Sequence, residues 1–304
     1  PCPKMFPYSP PATPYTEMDN AYGLVQPYAP MIYPIAKPEI MSDITPMELY
    51  KLWRWNLGLG LLHLATGVAI MVLTKTDKVV PAYSNFPDAA KYGGTSWMPQ
   101  PKFLYNVAVG YFSGIALLLS AVDHLAVALP PFRSRYENGL RTNQNHFRWL
   151  EYAFSAAFMR IMIAMLSGIM DVHLICAIYG LTFTTMLFGS EMERSNSKLW
   201  GVPKAKSFRP FWFGFVPHMF CWAIILCYFF RNCVKGDPPG FVWAIIFVLF
   251  FLDLTFAINQ FLQQMEIRAW RRYYHGELWF CILSLTAKQA LAWLNYGGSA
   301  ALDI

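Results

Sequence analysis

Charge is scarce in this chain: Asp, Glu, Lys and Arg make up 14% of its 304 residues, while 56% are hydrophobic and 17% aromatic. A soluble domain carries about a quarter charged residues, so the composition excludes an ordinary soluble fold and points to a multi-span membrane protein. The six cysteines (Cys2, Cys176, Cys221, Cys227, Cys233 and Cys281) show no CxxC and no Cys/His ligand spacing. That pattern argues against a zinc site or a disulfide framework, and no metal is expected. The first 45 residues lack a basic start followed by an apolar run, so no signal peptide is expected.

What is present falls into two parts. Residues 1–45 form a Pro/Tyr-rich extension, with ten prolines before residue 40 and Tyr8, Tyr15, Tyr22, Tyr28 and Tyr33 between them. Proline at that density prevents helix and favours extended, solvated backbone, so this part is expected to be flexible. Residues 46–304 carry seven apolar segments, at 47–73, 103–129, 145–169, 172–192, 210–231, 240–265 and 275–296. Each approaches or exceeds the length that crosses a hydrocarbon core of about 30 Å. The expected fold is an all-α seven-transmembrane-helix bundle. Asp43 or Thr45 caps the first helix ahead of Pro46, and Pro217 should kink the fifth unless neighbours satisfy the freed carbonyl. The loop at 75–102 holds two β-prone runs, 79–83 and 95–97, around Gly93-Gly94, which predicts a short β ribbon.

The basic residues are unevenly placed. Sixteen Lys/Arg fall on the side of the N-terminus and six on the other, with Arg160 and Lys288 inside spans. The positive-inside rule then puts the N-terminus in the cytoplasm and the C-terminus outside or in a lumen. The net charge of +6 is explained by this asymmetry, without nucleic acid.

Lys288 stands near the middle of the last apolar stretch, Glu277–Tyr296, with Ser284 rather than a carboxylate one turn before it. An ionisable residue at that depth is costly and marks function by default, and an amine held in an apolar site suits Schiff-base chemistry. Glu151 in the third span needs a cation, which Lys288, Arg148 or Arg160 can supply. Ser155 lies one turn on from Glu151, on the same face. His63 and His124 lie on the side of the buried carboxylate, whereas His146, His173, His218 and His275 read as interfacial. Asp253, mid-way along the sixth span, either pairs with Arg160 or stays protonated.

Seven spans, a lysine mid-way in the seventh and a carboxylate three residues after an arginine in the third resemble microbial rhodopsins. In detail, Ser284-Leu285-Thr286-Ala287-Lys288-Gln289 and Arg148-Trp149-Leu150-Glu151-Tyr152 with Ser155 are similar to the seventh and third helices of heliorhodopsins. The cytoplasmic N-terminus, derived from the loop charges, matches that family's inverted orientation. The resemblance covers about residues 45–300. It implies retinal, all-trans in the dark and bound covalently as a Schiff base on Lys288. Glu151 would be the counterion, with Ser155 and Ser284 hydrogen-bonding near the imine. It also implies a proton-accepting cavity at His63 and His124. Tyr152, Ala156, Met159 and Cys281 should face the polyene, and Met186, Trp212, Phe215 and Phe250 its ring end. Family members are typically homodimers in the lipid bilayer, with a β ribbon after the first helix.

The resemblance implies a photoreceptor rather than an enzyme, acting on a signalling partner the sequence does not identify. An outward proton pump uses carboxylates four residues before the lysine and 11 after the third-helix acid. Those positions are Ser284 and Met162 here, so light sensing without net ion pumping is expected. Two alternatives stand beside it: a light-gated proton channel or transporter of the same fold, and a seven-helix receptor or transporter without retinal.

Overall fold

The computed structural model describes residues 43–87 and 99–301. The Pro/Tyr-rich extension lies outside them except for its last three residues, of which Ile44 is buried against the helices. Among the described residues there are eight α-helices and one two-stranded sheet.

Helix α1 (Pro46–Leu73) opens on a capping box. The Glu48 backbone N–H donates to Thr45 Oγ1 at 3.3 Å, and the Thr45 N–H donates back to Glu48 Oε2 at 2.9 Å. Two helix-start donors that would otherwise lack partners are thereby satisfied. Thr45, rather than Asp43, is the cap; Asp43 Oδ2 instead faces Arg272 at 3.3 Å.

The loop after α1 forms the antiparallel ribbon β1 (Val80–Pro87) and β2 (Pro99–Val107). The expected second run, 95–97, lies outside the described residues. Strand β2 also takes residues 103–107, which the hydropathy pattern assigned to the second span. Phe103, Leu104 and Tyr105 are apolar but exposed, and their pairing with β1 overrides the helical reading. Helix α2 therefore runs only over Gly110–Ala128. The ribbon is fastened to the bundle where α5 (Val172–Asn196) begins. The Tyr83 N–H donates to Met170 O at 2.8 Å, and Asn85 Nδ2 donates to Asp171, the residue that caps α5 through the Leu174 N–H at 3.0 Å.

A short helix α3 (Phe132–Arg141) follows Pro130-Pro131, and α4 (His146–Leu166) starts at an Asn145 cap. Helices α6 (Arg209–Lys235), α7 (Gly240–Gln264) and α8 (Tyr273–Ala301) complete the bundle. Pro217 is buried within α6, which continues through it. Among the described residues, α1, α2, α4, α5, α6 and α7 are long and apolar enough to cross a membrane. Helix α8 has 29 residues and brings Glu277 and Lys288 inward, both buried. Alternating spans put the starts of α1, α4, α6 and α8 at one end, the N-terminal end, and the ribbon at the other. Polarity is inverted as a lipid solvent requires: Leu61, Val68, Val122, Phe220 and Phe251 face out, while Asn56, His63 and Ser120 are buried.

Small residues set the closest approach. A Cβ at Gly60 would lie 2.8 Å from the Leu125 side chain, and one at Gly67 3.0 Å from Leu118. The α1 and α2 backbones therefore pack tightly, as small residues allow in membranes.

At the N-terminal end a buried cluster ties α4, α5 and α8 together. Arg148 Nη2 donates to Glu193 Oε1 at 2.7 Å and Nη1 to Glu277 Oε1. Asn145 Nδ2 donates to Glu277 Oε2 at 2.7 Å, and Tyr273 Oη to Glu193 Oε1 at 2.8 Å. Removing one partner of such a group strands buried charge and costs about 3–5 kcal/mol. Arg148→Gln should therefore lower the stability of the purified protein by about that amount, read as a lowered thermal midpoint, with Arg148→Lys intermediate. An unchanged midpoint would show that the cluster does not hold the bundle.

Candidate functional site

Lys288 and Ser284 lie one turn apart on α8, so their side chains share a face. Lys288 Nζ donates to Ser284 Oγ at 2.7 Å and sits 3.2 Å from Glu151 Oε1 and 3.5 Å from Oε2. Ser120 Oγ of α2 donates to Glu151 Oε1. The ammonium also lies over the Tyr152 ring, 5.0 Å from its centroid. Both charged side chains are almost wholly buried, so each is tolerable only because of the other. Of the three cations open to Glu151, Lys288 is the one it faces: Arg148 is held by Glu193 and Glu277, and Arg160 by Asp253.

Polar groups continue from this pair toward the N-terminal end. His124, one turn from Ser120 on α2, places Nδ1 2.7 Å from Asn56 Oδ1. Asn56 Nδ2 donates to Leu52 O at 2.8 Å and Tyr136 Oη at 3.2 Å. The His63 and His124 rings stack with centroids 5.6 Å apart. On the other side of His63, Gln289 Nε2 lies 3.5 Å from its Nδ1 and donates to Thr66 Oγ1 at 3.3 Å. His63 Nε2 is buried with no hydrogen-bond partner among the described residues. The two histidines singled out from the sequence are thus brought together. Ser120, Asn56, Tyr136 and Gln289 were not anticipated, because neutral polar residues scattered over four helices carry no spacing signal.

A cavity of about 140 Å³ opens from Lys288 between α4, α5, α6, α7 and α8. Each helix contributes a stripe at helical spacing: Tyr152, Ser155, Ala156 and Met159 from α4; Thr185, Met186 and Gly189 from α5; Phe211, Gly214, Phe215 and His218 from α6; Asp253, Phe256, Ala257 and Gln260 from α7; and Phe280, Ser284, Ala287 and Lys288 from α8. Seven of the expected pocket residues are therefore walls: Tyr152, Ser155, Ala156, Met159, Met186, Phe215 and Ser284.

Three others are not. Trp212 is 60% exposed, because it lies one residue off the 211–214–215–218 stripe and points outward. Cys281 is buried but lies beside the 280–284–287–288 stripe rather than on it. Phe250 lies on the inward side of α7 one turn before Asp253, where its ring meets the edge of Trp222 at 5.1 Å and is kept from the cavity. Conversely, His218, read as interfacial, is a cavity wall, and Asp253 is neither isolated nor left without a cation. It pairs with Arg160 and accepts a bond from the Trp222 indole at 3.0 Å.

The comparisons with known proteins fall on this same body. The sequence pattern of the family described as "Heliorhodopsin" matches residues 52–300. A solved structure, the light-driven proton pump LR (Mac) from Leptosphaeria maculans, superposes with a TM-score of 0.57 at 14% identity, over 86% of this chain and 98% of that one. That likeness is one of fold. No curated protein matches the chain by sequence. The family match spans both the Glu151 and the Lys288 helices, and the chain belongs to the heliorhodopsin family of retinal-binding, light-responsive membrane proteins.

Proposed function

We propose that this protein is a light sensor that carries retinal, all-trans in the dark, covalently on Lys288, and that it moves no ion across the membrane in net. The observation that carries the reading is the asymmetry of the bundle about Nζ. Toward the N-terminal end, Glu151, Ser120, His124, Asn56 and His63 form a polar suite. Toward the ribbon end, beyond Arg160 and Asp253, Met162, Met165, Ile225, Phe229, Ile245, Ile246 and Leu249 are each at most 2% exposed. A proton leaving Nζ meets a suite of acceptors on one side; on the other, Asp253 is held in its pair with Arg160 and an apolar plug lies beyond it. Ser284 and Met162 occupy the two positions at which the pump pattern places carboxylates.

The residues fit the chromophore. The cavity walls are mostly apolar, Lys288 stands in its wall, and Ser155 Oγ beside it is buried without a partner among the described residues. Bound retinal would supply light absorption and a double-bond isomerisation that displaces the attached nitrogen. Tyr152, Ala156, Met159, Met186 and Phe215 would hold its length.

In the dark Glu151 offsets the positive charge on Nζ, while Ser284 and Ser120 fix the two partners. Once the nitrogen moves off the carboxylate, a lone charge in a dry site is strongly disfavoured, and the proton leaves Nζ. The His63–His124 pair can accept it: His124 Nδ1 donates to Asn56 Oδ1, which leaves Nε2 of that ring as a basic nitrogen. The altered charge pattern then favours a second arrangement of the helices, which a partner can read. The loop charges support a cytoplasmic N-terminus, which makes the histidine side the cytoplasmic one. The family resemblance supports a homodimer in the bilayer.

Adding all-trans retinal to purified apoprotein should give a visible absorption band that Lys288→Ala abolishes. No band, or one that survives that substitution, would return the protein to the class of receptors and transporters without retinal. Glu151→Gln removes negative charge beside the nitrogen and should shift the band to longer wavelength; an unmoved band would shift the counterion role to another carboxylate. Under voltage clamp, illumination should evoke no sustained current. A robust voltage-dependent current, lost in Asp253→Asn, would establish the light-gated proton channel instead.

A further inference from the structure

The Arg160–Asp253 pair has no part in that proton movement, yet both residues are walls of the cavity that Lys288 opens into. On α4, Arg160 is nine residues beyond Glu151, about 13 Å along the axis toward the ribbon end. The pair therefore lies far from the counterion, against the length of the cavity. Its two halves are not equivalent toward that space. The Arg160 side chain is 5% exposed and that of Asp253 25%. Arg160 is also drawn back over the Trp222 ring, 4.4 Å from its centroid. The bonds from Arg160 Nη2 and Trp222 Nε1 both fall on Asp253 Oδ2. Both ends of the pair line the cavity, and the carboxylate is the more exposed of the two.

We propose that Asp253, held by Arg160 and Trp222, is a colour-setting residue: a fixed carboxylate against the polyene at a distance from Lys288. The inference rests on the retinal reading above. A conjugated cation attached at Nζ has its positive charge concentrated near the nitrogen before excitation, and spread away from it afterwards. A carboxylate near the nitrogen, such as Glu151, stabilises the first distribution more and raises the excitation energy. A carboxylate farther along, such as Asp253, stabilises the second more and lowers it. The two acids therefore act on the colour with opposite sign.

The test compares absorption maxima of the retinal-loaded protein, together with thermal midpoints of the apoprotein. Asp253→Asn should move the band to shorter wavelength, opposite to Glu151→Gln, and Asp253→Glu should largely restore it. Asp253→Asn strands the Arg160 charge; if it fails to fold, the double variant Arg160→Gln/Asp253→Asn, which leaves no lone charge, carries the test. That double variant should shift in the same direction by less. A lowered apoprotein midpoint with unmoved maxima would mean that the pair only clamps α4 to α7, and would overturn the proposal. A shift to longer wavelength in Asp253→Asn would overturn it too. Absence of any band in the wild-type protein would instead bring down the retinal reading itself.

Discussion

A single positive charge in a dry helical interior is the constraint around which this bundle is arranged. An ammonium at the depth of Lys288 must be offset there, because neither lipid nor a packed core can solvate it. Glu151 supplies the offset, and the position of Glu151 constrains what surrounds it. Ser120 must come from α2 to hold the carboxylate, and Ser284 from α8 to hold the amine. Arg148, only three residues from Glu151, must be drawn elsewhere, and Glu193 and Glu277 engage it. The buried charges of α4 thus segregate into three neighbourhoods, Lys288–Glu151, Arg148 with its two glutamates, and Arg160–Asp253. Each fastens α4 to at least one other helix. Helix α4 is consequently the spine of the molecule, and much of it is buried.

The sequence alone carried the spans, the central ion pair and the histidine pair, because each leaves a signal that one chain can show. A charge in an apolar run is conspicuous, and a stretch of about twenty apolar residues matches the thickness of a bilayer core. It failed where the answer depends on rotation about a helix or on pairing across the fold. Trp212 looked like a pocket residue by type, but one residue of offset turns it outward. Cys281 is also one residue off its stripe, though it stays buried. Residues 103–107 are apolar enough to read as helix, and only pairing with Val80–Tyr83 makes them strand. Asp253 was ambiguous between a pair and a protonated acid, since its partner lies 93 residues away.

The heliorhodopsin match and the pump-like fold answer different questions. The family comes from sequence pattern across residues 52–300, whereas the likeness to the fungal pump is one of backbone architecture at 14% identity. Architecture fixes that helices surround a central cavity; the chemistry is set by the side chains placed there. Here those side chains put the polar partners of Lys288 on one side and a layer of Ile, Phe, Met and Leu on the other.

That apolar layer also has a mechanical meaning. Interdigitated core side chains are close-packed and resist being sheared, whereas a hydrogen-bonded polar suite can exchange partners with little change in volume. A disturbance starting at Lys288 therefore meets a stiff half and a compliant half.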